Sequence, residues 1–151
     1  MKIRKFKNTD AKEVCEIIER CDKKIASKDY SKKVIDLWIS KLNPNYIIKK
    51  SRGRICFVAI LEKKVVGYIS FDNNEIKKLH VNPNYHNLGI GKKLIGAVEN
   101  YAHKNKIKKI IVKSSIYAEK FYEKCSFRKI KVIFDGTKNV KFKLILMEKE
   151  L

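Results

Sequence analysis

The stretch Leu79–Lys93, LHVNPNYHNLGIGKK, limits this chain more than any other: it runs a strand, a tight polar loop, two glycines and the first turn of a helix together without a break. A helix opens with backbone N–H groups that have no intrahelical acceptor and with the positive end of its dipole. A chain in this order therefore aims a row of donors at an anion, a phosphate above all. Lys92 and Lys93 agree with that reading, since lysine in a first helical turn is unfavourable unless an anion is bound there. A blander alternative is a strand-to-helix turn that needs a positive φ at Gly89 and close packing at Gly91.

Spacing narrows the ligand to the diphosphate of a coenzyme that is neither of two common kinds. The dinucleotide fingerprint Gly-x-Gly-x-x-Gly fails because Leu94 stands at its third glycine. The nucleoside-triphosphate loop Gly-x-x-x-x-Gly-Lys-[Ser/Thr] fails twice, at His86 and at Lys93.

The 151 residues suit one domain, 1–151, long enough to bury a core. With 44% apolar residues and no apolar run near membrane-spanning length, the chain reads as globular. The opening MKIRKFKNTD lacks the apolar core of a secretion signal, so cytoplasm is the expected location. Cys15, Cys21, Cys56 and Cys125 form no Cys-x-x-Cys pair and have no histidine at ligand spacing. Reduced, mostly buried thiols are expected, with neither disulfides nor metal. The net charge of +20 attracts anions and nucleic acid without any motif. The lysines, however, are scattered in pairs and only five basic residues are arginine, so no specific nucleic-acid partner is expected.

Along the chain, Ile3–Phe6 reads as a strand. Asp10 and Glu13 resemble a capping box for a helix running to about Ala26 with Val14, Ile17, Ile18 and Cys21 on one face. Ser31 caps a second helix, which Asn43-Pro44 ends. Strands follow at Ile55–Leu61, Val65–Phe71 and Glu75–Val81, with Gly67 marking a bulge or a close approach. After Gly91 comes a helix to about Asn105, then a strand at Ile107–Lys113 that the crossover rule makes a parallel neighbour of Glu75–Val81. A short helix spans Ala118–Cys125, and two last strands join as a hairpin through Asp135-Gly136.

The run L-x-V-x-P-x-Y from Leu79 to Tyr85, the x-x-x-G-x-G that follows it, and A-x-x-F-Y-E-K-x-x-F from Ala118 to Phe127 together resemble the GCN5-related N-acetyltransferases. The likeness covers roughly Lys2 to Leu151, its motif-bearing part Glu75 to Phe127, and is similar to a small, uncharacterised bacterial-type subgroup. It implies an α/β fold with a mixed central sheet of about seven strands flanked by about four helices. It implies, too, direct transfer of acetyl from acetyl-coenzyme A to a primary amine of an unidentified small molecule or peptide. Homodimers are common in the family.

By the same resemblance, the backbone of Leu79 serves the thioester oxygen and that of Val81 the pantetheine arm. His86, Asn87, Leu88, Gly89, Ile90, Gly91 and Lys92 hold the diphosphate, and Ser115 also borders the coenzyme. Tyr122 matches the tyrosine that protonates the departing thiolate. Glu75 stands where some members carry a glutamate base, a water relay being the alternative. His80 is a weaker candidate, because alternation turns it away from Leu79 and Val81. Trp38 and Tyr46 fall where the acceptor is bordered, though Trp38 reads first as a core residue. Two positions depart from the family pattern. His86 replaces a Gln or Arg, and Ser126 replaces a Gly, at a cost of about 1 kcal/mol if that backbone is left-handed. Two rival functions are open: a non-catalytic coenzyme-A-binding or regulatory module, and a basic nucleic-acid-binding domain.

Overall fold

The computed structural model describes residues 1–151. Its strands are β1 (Lys2–Lys5), β2 (Ile55–Leu61), β3 (Lys64–Asp72), β4 (Glu75–Val81), β5 (Lys109–Ser114), β6 (Arg128–Gly136) and β7 (Lys141–Glu150). They form one sheet in the order β1-β2-β3-β4-β5-β7-β6, in which β4 and β5 are the parallel pair and every other neighbour is antiparallel. The helices are α1 (Ala11–Lys24), α2 (Lys32–Ile39), α3 (Pro44–Ser51), α4 (Ile90–Lys104) and α5 (Glu119–Lys124). The α/β mixed sheet and the parallel crossover match expectation.

Each face of the sheet carries its own apolar layer, because strand side chains alternate. On one face Val66, Ile69 and Phe71 of β3 pack with Ile90, Leu94, Ile95 and Val98 of α4. On the other, Val65 and Tyr68 of β3 pack with Val14, Ile17, Ile18 and Cys21 of α1 and Ile47 of α3. Gly67 lets α4 come close: a methyl group there would stand 3.0 Å from Leu94 Cδ1. The β2–β3 register also slips between Ala59 and Ile60, so Gly67 marks both a close approach and a bulge.

Three local expectations need correction. Asn43-Pro44 starts a helix instead of merely ending one. The Asn43 side chain accepts a hydrogen bond from the Tyr46 N–H at 2.9 Å, and Pro44 occupies the first turn, where its missing N–H costs nothing. This makes five helices in place of four. The capping pair Asp10/Glu13 does not form either. Asp10 instead accepts from Arg4 and from the Lys7 N–H, and Glu13 accepts from the Val65 N–H of β3 at 3.0 Å. Finally, Asp135 and Gly136 are the last paired residues of β6. The turn itself spans Thr137–Val140, where the Thr137 N–H donates to the Val140 carbonyl.

Candidate active site

Strands β4 and β5 stay together only at Glu75/Ile111 and Ile76/Val112 and then part. Opposite this fork the β3–β4 register slips between Ser70 and Phe71, leaving Lys77 as the extra residue. Beyond the bulge, the Asn82 N–H donates to the Val66 carbonyl at 2.8 Å, and His80 faces Tyr68. In an antiparallel ladder the bonded pairs alternate, so residues 82, 80 and 78 pair with β3 while the N–H groups of Leu79 and Val81 point the other way, into the fork. The fork opens on a cavity of about 1200 Å³.

The loop after β4 borders this cavity. Asn87 (φ 65°) and Gly89 (φ 77°) are left-handed, which folds the loop back over the start of α4. None of the N–H groups from Asn87 to Lys92 finds an acceptor in the protein; the first that does is that of Lys93, to the Gly89 carbonyl at 3.1 Å. Gly91 is needed for contact: a Cβ there would lie 2.8 Å from Phe121 Cζ of α5. His86 does not extend this row of donors, because its Nε2 lies 2.8 Å from the Val81 carbonyl and donates to it. Its ring braces the loop against β4.

Helix α5 brings Tyr122 to the same cavity. Its ring is buried between Phe121 and Phe127, at centroid distances of 5.3 and 5.4 Å, and its hydroxyl bonds to no protein group. Burial, with the Tyr117 and Cys125 groups adding to it, pushes the phenol well above its ordinary value, so it keeps its proton at neutral pH. The helix closes on Ser126 (φ 70°), with Ser126 N–H bonded to the Glu123 carbonyl and Phe127 N–H to the Tyr122 carbonyl. That is a Schellman ending with its hydrophobic contact, Tyr122 to Phe127. Ser115, on the turn before α5, also lines the cavity. The turn is held by Tyr30, whose hydroxyl accepts from the Ile116 N–H at 3.0 Å and donates to the Lys143 carbonyl at 2.7 Å.

The opposite end of the cavity is built from side chains of separate elements. Trp38 of α2 stacks edge-on against Tyr30 and Phe142, at 4.7 and 5.2 Å, and still lines the cavity, so it serves core and wall at once. Tyr46 of α3 lines it too, with Lys50 Nζ 5.6 Å above its ring. Glu75 is absent from the lining. It sits where β4 and β5 are still paired, and its carboxylate accepts from Lys77 Nζ at 2.9 Å, so the geometry does not present it as a base.

Sequence reasoning missed the acid that is present. Asp22 of α1 is 5% exposed and lines the cavity, and burial raises its carboxyl to about 6 against the opposing pull of Lys78. His80 Nε2 stands 4.0 Å from Asp22 Oδ1, and burial together with Lys78 holds this imidazole neutral, down to about 3. The sequence did carry a signal: Asp22 continues the stripe Val14–Ile18 at four-residue spacing, an acid where the helix buries its apolar face.

A mixed sheet forked at its one parallel pair, with a helix N-terminus of free N–H groups beside the fork, makes an α/β protein with a ready site for a phosphate-bearing ligand. Residues 26–151 match the family described as acetyltransferase (GNAT) domain, and the chain belongs to that family. It is an acyltransferase that moves acetyl from acetyl-coenzyme A to an amine. It is 28% identical over 131 residues to an uncharacterized N-acetyltransferase of Escherichia coli strain K12, YafP, covering 87% of this chain and 83% of that one. Its fold superimposes on the GCN5-related N-acetyltransferase of Rhodopseudomonas palustris with a TM-score of 0.93 at 22% identity, over 99% and 95% of the two chains. The PaiA N-acetyltransferase of Thermoplasma acidophilum, solved with coenzyme A, gives a TM-score of 0.80 at 21% identity over 99% and 98%. No helix of the chain is long and apolar enough to cross a membrane.

Proposed function

We propose that this single domain, working in the cytoplasm, transfers acetyl directly to the primary amine of a small molecule or peptide within a ternary complex, with no acylated enzyme along the way. The observation that carries this reading is the run of unsatisfied N–H groups from Asn87 to Lys92 at the start of α4. Six donors in one stretch with no protein acceptor suit a diphosphate, and Lys92 and Lys93 add charge beside them. The forked edge of β4 offers the Leu79 N–H to the thioester oxygen, whose negative charge grows as the amine adds, and the Val81 N–H to the pantetheine amide. Ser115 borders the arm and His86 steadies the loop. Tyr122, protonated and free of protein partners, gives its proton to the sulfur as the C–S bond breaks. Trp38 and Tyr46 border the acceptor.

Support for a homodimer comes from the outer strand β6, where Ile130, Val132 and Phe134 are exposed, Phe134 by 71%. Antiparallel pairing with a second copy would bring the Lys129 end of one strand to the Asp135 end of the other. Light scattering on wild type and Phe134→Lys reads that association. No nucleic-acid partner is assigned; duplex binding that persists at saturating coenzyme A would revive one.

Calorimetry with acetyl-coenzyme A tests the reading, alongside free-thiol release across an amine panel. Binding in the micromolar range with amine-dependent release is expected. Absence of heat removes the coenzyme site, and binding without release under any amine leaves a regulatory module.

A further inference from the structure

We propose that Asp22 receives the acceptor's ammonium group and takes its proton, and that the acceptor is a primary amine on an aromatic or apolar body. This rests on the acetyltransfer assignment and adds to it the residue that handles the amine.

The placement follows from contacts. Cys21 Sγ donates to the Val81 carbonyl at 3.2 Å, which draws the last turn of α1 onto the far end of β4. The next residue, Asp22, then meets His80 at 4.0 Å, one residue along the strand from Leu79, whose N–H points into the fork. The carboxylate is thus fixed beside the position the thioester carbonyl takes when Leu79 holds its oxygen.

Chemistry makes the same demand. Asp22 is 5% exposed, yet no N–H or O–H of the protein donates to it, and its only favourable partner is the charge of Lys78 acting through space. The carboxylate lines the cavity with no protein donor on it, and its oxygens are not sealed from that space, so a cation entering the cavity meets them unpaired. An ammonium brings three donors and a positive charge to that position. The titratable groups around it come from three elements: Cys21 of α1, Lys78 and His80 of β4, and Tyr117 on the turn before α5. His80 is neutral and so does not compete for the carboxylate. The lining from α2 and β7 includes Leu37, Trp38 and Phe142, apolar surface suited to an aryl or alkyl body, with the charged Lys28, Asp29 and Lys41 also on the cavity wall.

The proton count closes. Asp22 takes one proton from the ammonium, and the freed lone pair forms the C–N bond as the carbonyl π pair moves to oxygen against the Leu79 N–H. When that pair returns, the C–S bond breaks and Tyr122 protonates the sulfur. The second proton on nitrogen restores Tyr122, and Asp22 releases its own to solvent through the open cavity. The products are amide, thiol and one proton.

Asp22→Asn and Asp22→Glu test this with phenethylamine as the probe amine. For Asp22→Asn the expected results are a fall in kcat/KM of about 100-fold or more, loss of the acid limb near pH 6, and an unchanged Kd for acetyl-coenzyme A. Asp22→Glu recovers part of the rate. The thermal midpoint of Asp22→Asn at pH 7 does not fall, as it would if Asp22 were only structural. Activity within threefold of wild type overturns the proposal, as does a loss in Glu75→Gln with Asp22→Asn unaffected, or a rate loss matched by lost acetyl-coenzyme A binding. Calorimetry of phenethylamine with coenzyme-A-saturated protein gives a reading independent of turnover. Wild type that binds amine but releases no thiol sinks the acetyltransfer assignment; equal amine affinity in wild type and Asp22→Asn sinks this one.

Discussion

The two ends of the forked cavity are built by opposite means. The end we assign to the coenzyme is backbone: Leu79, Val81 and the loop from Asn87 to Lys92 offer N–H groups, and their side chains matter mainly where glycine is required. The end we propose for the acceptor is side chain: Asp22, Trp38, Tyr46, His80 and Phe142 arrive from α1, α2, α3, β4 and β7. A backbone site is one continuous segment, and its conformational needs are written in that segment. A side-chain site is assembled by topology, so its members are scattered along the chain. The first end can stay constant while the second changes with the substrate.

Tyr122 joins the two ends, and its removal has the largest expected effect. Tyr122→Phe keeps the ring packing against Phe121 and Phe127 but deletes the hydroxyl proposed as proton donor. Amine-dependent thiol release should fall by about 100-fold or more while acetyl-coenzyme A affinity holds. Equal rates in the two proteins would reduce Tyr122 to a packing residue and leave the coenzyme end without its acid.

Asp22 bears on the acceptor end through stability as well as rate. Its carboxyl titrates near an ordinary 3.8 in the unfolded chain and near about 6 when folded, so the unfolded chain ionises first. The destabilisation is absent below pH 3.8, grows as pH rises, and is complete above 6. Asp22→Asn should therefore gain stability at pH 7, by about 3 kcal/mol at most, and lose that gain as pH approaches 4. His80 acts in the reverse sense in both proteins: held at about 3, it costs stability as pH falls through 6.5. The difference between the two denaturation curves isolates Asp22. A gain that does not vary with pH would mean the carboxylate has a partner after all.

At the coenzyme end a paired test on α4 separates contact from propensity. Gly91→Val places a branched side chain against Phe121 and should cost about 1–3 kcal/mol, visible as a lower thermal midpoint together with weaker acetyl-coenzyme A binding. Gly96 has nothing within 4 Å of an added Cβ, so Gly96→Ala should instead gain up to about 1 kcal/mol from helix propensity alone. If both lower stability alike, the loop is not held by the Gly91–Phe121 contact.

What could be read from the sequence follows the same division. The left-handed Gly89 and the free first turn of α4 were legible because each depends on a few consecutive residues, and the parallel crossover because a strand, a helix and a strand follow one another in the chain. The reason for Gly91, its contact with Phe121, lies 30 positions away. Helix α3 was missed because Asn43-Pro44 reads as a stop, whereas α2 already ends at Ile39 and the pair caps a new helix whose Ile47 is anchored in the core. The family resemblance points to Glu75 or a water relay, but Glu75 is paired with Lys77 Nζ beside the bulge and is absent from the cavity lining. Asp22 could have been suspected from its place in a buried stripe. Its meeting with His80, however, depends on a Cys21–Val81 contact spanning 60 positions.

The smallest effect tests whether α5 is tuned for its tyrosine or merely tolerated. Ser126 sits at φ 70°, where a side chain costs about 1 kcal/mol or more relative to glycine, and its exposed hydroxyl bonds to nothing that would offset this. Glycine would relieve that cost but add freedom to the unfolded chain, worth about 0.4–1 kcal/mol in the other direction. Ser126→Gly should therefore stabilise by only about 0.5 kcal/mol, seen as a higher urea midpoint at constant slope. Because Tyr122 is fixed by its ring neighbours and by the Phe127 N–H bond, thiol release should not change. A change in rate without a change in stability would show that the strained turn aims the phenol, and would tie the acid to the end of α5 rather than to the cavity wall.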